Sequence, residues 1–169
     1  MQKITPYLWF DNNAEEAVNF YTSIFKNARV VETAKLENAG PNGDDVFTAV
    51  FELEGQRFMA LNGGPVFQFS PAISFYVDCK TQEEVDYYWD RLLEGGAAEQ
   101  CGWLKDKFGV SWQIVPGVLN ELLNDPDRAK ADRVMQAMLQ MVKLDIAGLK
   151  RAYESAPEQA DLPHFGNRV

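Results

Sequence analysis

His164 is the single histidine of the chain, so an imidazole base or metal ligand can arise at one place only. It stands between Pro163 and Phe165 close to the last residue, where side chains usually face solvent, and it reads as a bystander. Carboxylates come next, because clusters of Asp and Glu hold Mg²⁺ or Ca²⁺ without help from nitrogen or sulfur. Glu15-Glu16 and Glu83-Glu84 are adjacent pairs, but each falls where a helix should begin, and negative charge there complements the helix dipole. Asp44-Asp45, Glu52 and Glu54 lack the spacing of a calcium loop and read as solvated surface. Cys79 lies between an expected strand and an expected helix, a position that can depress a thiol pKa. With no histidine near it to act as a base, an inert, buried thiol is expected. No metal site and no cofactor are therefore expected.

Loops that grip nucleotides or build a nucleophile elbow are missing as well. The sequence contains no GxGxxG, GxxxxGK[ST] or GxSxG. Gly63-Gly64 is followed by Pro65 rather than by a helix, so it does not make the turn on which a Rossmann-type methyl donor or dinucleotide would sit. What remains is aromatic. Trp9, Phe58, Phe75, Trp103 and Trp112 fall on expected strands, where large rings either fill a core or line an apolar pocket.

The elements that must place these rings occur twice. Residues Ile4 to Phe10 read as a strand, Asp11 to Asn13 as a cap and Ala14 to Phe25 as a helix. Ala72 to Val77, Asp78 to Thr81 and Gln82 to Leu93 repeat that order, with the acidic pairs about 68 residues apart. Asn13 with Glu16, and Thr81 with Glu84, have capping-box spacing. Ala17, Phe20, Tyr21, Ile24 and Phe25 recur at helical intervals, as do Val85, Tyr88, Trp89 and Leu92. Three strands are expected after the first helix, at Arg29 to Leu36, Phe47 to Glu54 and Arg57 to Asn62, with a tight Glu54-Gly55 turn before the last. After the second helix the strands are Ala97 to Cys101, Gly102 to Asp106 and Val110 to Val115. Each half thus reads βαβββ, and the glycines and prolines of Asn62 to Pro71 mark the linker.

From Pro116 the pattern turns helical. Val118, Leu119, Leu122 and Leu123 form a short helix that Pro126 ends. Asp127 opens a longer one, with Val134, Met138, Met141, Val142, Asp145 and Leu149 near one stripe and Met135, Leu139, Leu144 and Ile146 widening it. A face this apolar needs a partner surface. The expected organisation is a first module over 1–64, a second over 65–116, a helical extension over 117–153 and a tail over 154–169.

Composition narrows the class. Apolar residues at 46% and charged residues at 24% suit a folded globular chain and exclude disorder as the main state. The 25 acidic against 16 basic residues give a net charge of −9, which repels phosphate backbones and argues against nucleic acid as a partner. No run of about 18 apolar residues suggests a membrane span. Residues 1–9 lack signal-peptide architecture, and two cysteines without CxxC spacing point to a reducing compartment, so a cytoplasmic protein is expected.

The paired βαβββ units resemble the vicinal oxygen chelate fold of glyoxalase I, bleomycin-resistance proteins and extradiol dioxygenases. Asp106-Lys107-Phe108-Gly109-Val110-Ser111-Trp112-Gln113 resembles the ending of that fold's second module. Pro6-Tyr7-Leu8-Trp9-Phe10, Trp112-Gln113-Ile114-Val115-Pro116 and Arg133 to Met141 resemble the PhnB-like group, often labelled 3-demethylubiquinone-9 3-methyltransferase. The resemblance covers about residues 1–153 and implies an α+β fold in which two βαβββ modules form a curved mixed sheet around a cleft, followed by C-terminal helices. It also implies ligand positions near Thr5 or Pro6, near Ala72, among Phe58 to Asn62 and at Gln113, where only Asn62 and Gln113 carry an oxygen suited to a metal.

The expected function is a metal-free small-molecule binding protein or a divergent enzyme of this fold. A homodimer is expected, partly from the resemblance and partly from the Met-rich C-terminal helix. A small apolar or aromatic ligand would lie in a cleft lined by Trp9, Asn62, Tyr76, Trp103, Trp112 and Gln113. Three other readings stay open: a methyltransferase acting on a quinone-like substrate, a metal-dependent lyase, isomerase or dioxygenase, and a structural protein whose cleft is filled.

Overall fold

A computed structural model describes residues 2–155; His164 and most of the expected tail lie outside them. Strand β1 (Tyr7–Phe10) leads into helix α1 (Ala14–Ile24), then strands β2 (Ala28–Leu36), β3 (Val46–Leu53) and β4 (Gln56–Asn62). The order repeats with β5 (Ser74–Cys79), α2 (Gln82–Leu93), β6 (Ala97–Ala98), β7 (Trp103–Lys105) and β8 (Ser111–Pro116). The α+β class and the two βαβββ modules are as expected. Each module builds its own four-stranded mixed sheet, ordered β1-β4-β3-β2 and β5-β8-β7-β6. The first strand of each pairs parallel with the last, and the other pairs are antiparallel.

The two helices lie where their apolar periods put them. Ala14, Ala17, Val18, Tyr21 and Ile24 of α1 are buried, as are Val85, Tyr88, Trp89 and Leu92 of α2. Alternation does the same for the strands. Leu8, Phe10, Phe51, Phe58 and Ala60 of the first sheet share one core with Leu104, Trp112 and Ile114 of the second. The modules therefore join through their helix-side faces. The opposite faces of both sheets turn away from this common core.

Two local expectations change. The Asn13 side chain makes no capping bond; the Ala14 N–H donates instead to Oδ1 of Asn62, at 2.8 Å. Thr81 caps α2 as expected, accepting from the Glu84 N–H at 3.3 Å. The second change lies in the extension. After α3 (Gly117–Leu123), the single long helix expected from Asp127 divides into α4 (Arg128–Leu139) and α5 (Ile146–Glu154). Asp145, expected on the apolar stripe, caps α5 by accepting from the Gly148 N–H at 2.9 Å. Helical periodicity cannot distinguish a continuous helix from two segments whose apolar faces coincide, and the break is set by docking. The Met141 and Val142 carbonyls accept from the N–H groups of Cys101 and Gly102, both at 2.8 Å, which fastens the α4–α5 loop to the β6–β7 turn. The extension packs a small core of its own Leu119, Val134, Leu144 and Leu149 against Val115 of β8.

Candidate functional site

Strand register places the most suggestive polar groups. On the outward face of the second sheet, Tyr76 of β5 neighbours Gln113 of β8, which neighbours Trp103 of β7. One step along, Ser74, Ser111 and Lys105 form a second cross-strand row on the same face. The Gln113 Nε2–H donates to Ser74 Oγ at 2.9 Å. The Asn120 Nδ2–H of α3 donates to the Tyr76 hydroxyl at 3.1 Å, so the extension reaches the edge of this face. Among the described residues, Ser111 Oγ is the buried side-chain polar atom that lacks a hydrogen-bond partner. An unsatisfied buried hydroxyl is costly, and here it stands beside an amide, a second hydroxyl and an ammonium group. The arrangement can hydrogen-bond an oxygen-bearing ligand, with the Trp103 ring offering flat apolar contact.

Of the six residues expected to line the cleft, Tyr76, Trp103 and Gln113 come together in this row. Trp112 points the other way from β8: it is buried, its indole N–H donates to Asp106 at 2.9 Å, and it borders a cavity of about 680 Å³ between the modules, as Tyr76 also does. Trp9 lies on the outward face of the first sheet, where its indole N–H donates to the Gly64 carbonyl at 3.0 Å and its ring meets Phe67 edge-on at 5.1 Å. Asn62 lies on the helix side of the first sheet, capping α1 and bordering a separate polar recess with Glu15, Glu16 and Lys35. Ser74, Lys105 and Ser111 are not among the residues that the sequence singles out. The signal was period two: each lies two residues from an expected site residue on the same strand, hence on the same face.

Neither group associated with the fold finds suitable donors. The two central rows of the outward face offer hydroxyls, an amide and an ammonium, with no imidazole or carboxylate, a set unlike the His and Glu sites that hold a catalytic divalent ion. Among the described residues no three His, Cys, Asp or Glu side chains are grouped to hold one. The strand-to-helix turns Asp11–Asn13 and Lys80–Thr81 contain no glycine, and Gly63 is where it is because any Cβ would strike the Trp9 indole. None of these is the glycine-rich strand-to-helix turn on which the adenosine part of a sulfonium methyl donor would lie. Burial governs the one thiol at a helix start: Cys79 is fully buried, and desolvation, with Glu84 and Asp78 adding to it, pushes its pKa up to about 12. That opposes the activation a helix N-terminus would give and keeps the group a thiol.

Comparison with known proteins places the geometry in a family. Residues 2–115 match the family model described as 3-demethylubiquinone-9 3-methyltransferase. A solved PhnB protein of that designation from Bacillus cereus is 40% identical, with a TM-score of 0.62 over 69% of this chain and 100% of its own. A protein from Pseudomonas aeruginosa (21% identity, TM-score 0.55, 69% and 98% covered) shares the fold. So does the fosfomycin resistance protein FosX from Listeria monocytogenes (18% identity, TM-score 0.54, 73% and 98% covered), which has also been solved with Mn(II). No curated protein sequence matches. Both the matched span and the 40% identical relative are built on the glyoxalase-like fold described above, and the chain belongs to the family labelled 3-demethylubiquinone-9 3-methyltransferase (PhnB).

Proposed function

We propose that this protein is a homodimeric, metal-free binder of a small molecule, or a divergent enzyme of the glyoxalase-like fold, acting in the cytoplasm. The ligand has a flat apolar part and an oxygen-bearing polar end. The observation that carries the reading is the pair of cross-strand rows on the second sheet, with a Gln113–Ser74 hydrogen bond beside the orphan Ser111 hydroxyl and the Trp103 ring. Of the six residues expected from the sequence, Tyr76, Trp103 and Gln113 touch the ligand in this proposal; Trp112 braces β8 from the opposite face, and Trp9 and Asn62, in the first module, lie apart from it.

A second copy supplies the rest of the enclosure. The outward face of the first sheet leaves Tyr7 and Leu36 about half exposed and holds a recess of about 320 Å³ bordered by Val50 and Met59. Apolar surface of this kind favours a protein partner. The free thiols of Cys79 and Cys101 suit a reducing compartment, and the net charge of −9 disfavours nucleic acid.

Thermal-shift screening of quinones, phenolic acids and aliphatic acids, followed by calorimetry, tests the site. A compound that raises the melting temperature, and whose affinity falls roughly ten-fold (about 1.4 kcal/mol) in Gln113→Ala, supports it. Ligands that bind the variant as well as the native chain overturn it, as does a library without a hit. Titration with S-adenosylmethionine is expected to give no binding heat. Sedimentation should show a dimer at micromolar concentration; a monomer throughout would remove the dimer from the proposal.

A further inference from the structure

The cavity between the modules has a chemistry of its own. Its walls carry Phe25, Phe58, Phe75, Tyr88 and Trp112. Each ring touches the next: Phe58 to Phe75 at 5.2 Å, Phe75 to Trp112 at 5.3 Å, Trp112 to Phe25 at 5.7 Å and Phe25 to Tyr88 at 5.1 Å between centroids. The Trp112 indole is held by its N–H bond to the buried Asp106, so it offers a fixed ring to the cavity. Around the mouth stand Glu54, Asp78 and Glu84 against a single ammonium, Lys80. At about 680 Å³ the space is within the usual range for a small-molecule site.

Aromatic faces and carboxylates attract the same kind of ligand. The ring quadrupole is negative above and below its plane, so a ring that turns its face to the ligand stabilises a desolvated organic cation, and three carboxylates against one ammonium add a field of the same sign. A neutral hydrocarbon would gain the apolar contact without the electrostatic part, and an anion would be repelled at the mouth. We infer that the inter-module cavity is a second ligand site, selective for a small organic cation, such as a quaternary or protonated amine, on a flat apolar body. It is distinct from the two cross-strand rows on the outward face of the second sheet, meeting that face at Tyr76 and Asp78 of β5, and it does not rest on the function proposed there.

Calorimetric titration of the full chain with benzyltrimethylammonium, and with benzoate as the anion of similar size, tests the inference. Saturable binding of the cation with no binding of benzoate is expected. Asp78→Asn with Glu84→Gln keeps the shape and the acceptor that Glu84 presents to the Lys80 N–H at 2.7 Å, and should weaken the cation roughly ten-fold. Labelling with 5-fluorotryptophan supplies a readout independent of the variants' stability: the ¹⁹F resonance of Trp112 should move on titration while those of Trp9 and Trp103 stay. Equal binding of benzoate, no saturable binding of the cation, or a cation that leaves the Trp112 resonance in place would overturn it.

Discussion

Asp106 shows how much one side chain can hold in this fold. It is 2% exposed and accepts four hydrogen bonds: from the Tyr21 hydroxyl at 2.7 Å, the Trp112 indole at 2.9 Å, and the Phe108 and Val110 N–H groups at 2.9 and 3.0 Å. The last two shape the turn before β8, while Tyr21 belongs to the other module, so a single carboxylate ties the halves together. The sequence shows the turn, because Asp106 to Gly109 has turn chemistry, but a partner 85 residues away is set by how the modules dock. Tyr21→Phe removes one bond to a buried acceptor and should cost about 1–3 kcal/mol in urea unfolding. Burial raises the Asp106 pKa against the pull of those four donors. As pH climbs from the ordinary carboxylate range toward that raised value, the unfolded chain loses this proton first, and stability falls. Below that range the contribution is complete. A pH series of unfolding free energies should therefore show a downward slope attributable to Asp106 that is absent in Asp106→Asn. Cys79 is a second case: with its pKa near 12 it should resist iodoacetamide at pH 8 in the native chain, while the partly exposed Cys101 reacts and urea releases both. Alkylation of Cys79 at native pH would contradict its burial.

Elements were the most legible level, and their ends the least. The period of Gln82 to Leu93 gives both boundaries of α2 as observed, because an amphipathic stripe and a capping threonine agree. The first helix has the same stripe, yet its cap comes from the far end of the module: Asn62 closes β4 and its side chain satisfies the Ala14 N–H. Asn13 had the right type and spacing, but it adopts φ −120° and ψ 24°, outside the extended geometry that aims an N-cap side chain at the helix. Asn62 thus acts in the fold, whatever it does for a ligand. Asn62→Ala should lower stability by about 1 kcal/mol, and Asn62→Asp, which keeps the acceptor oxygen, should retain most of it. Equal stability of the alanine variant and the native chain would show that water replaces the cap. The candidate site was legible in part for a related reason. Aromatic and amide residues stand out in a sequence, whereas Ser74 and Ser111 gain meaning only when a parallel β5–β8 register sets them side by side.

At the scale of the molecule, the chain is a family body with an addition. The family match ends at residue 115, and the 40% identical relative is covered completely by 69% of this chain; α3, α4 and α5 follow the matched span. They pack through a core separate from the one the modules share. Val115 of β8 is buried in that core, and the other attachments are polar: the Cys101 and Gly102 amides to the Met141 and Val142 carbonyls, the Gln82 side chain to the Leu144 carbonyl and the Ile146 N–H, and the Lys143–Asp86 ion pair. A region with its own core, joined to the rest through one buried valine of β8 and a thin polar seam, opens as a unit with less free energy than the whole. Leu149, fully buried in that core, should cost about 2–5 kcal/mol when replaced by alanine, and the loss should stay local. Hydrogen exchange of Leu149→Ala is expected to accelerate the amides of α4 and α5 while those of α1 and β3 keep their native rates. If the amides of both modules accelerate by the same factor, the extension and the modules fold as one cooperative body. The Asn120–Tyr76 hydrogen bond would then couple the candidate site to the stability of the whole chain; with local opening, it couples the site to the extension alone.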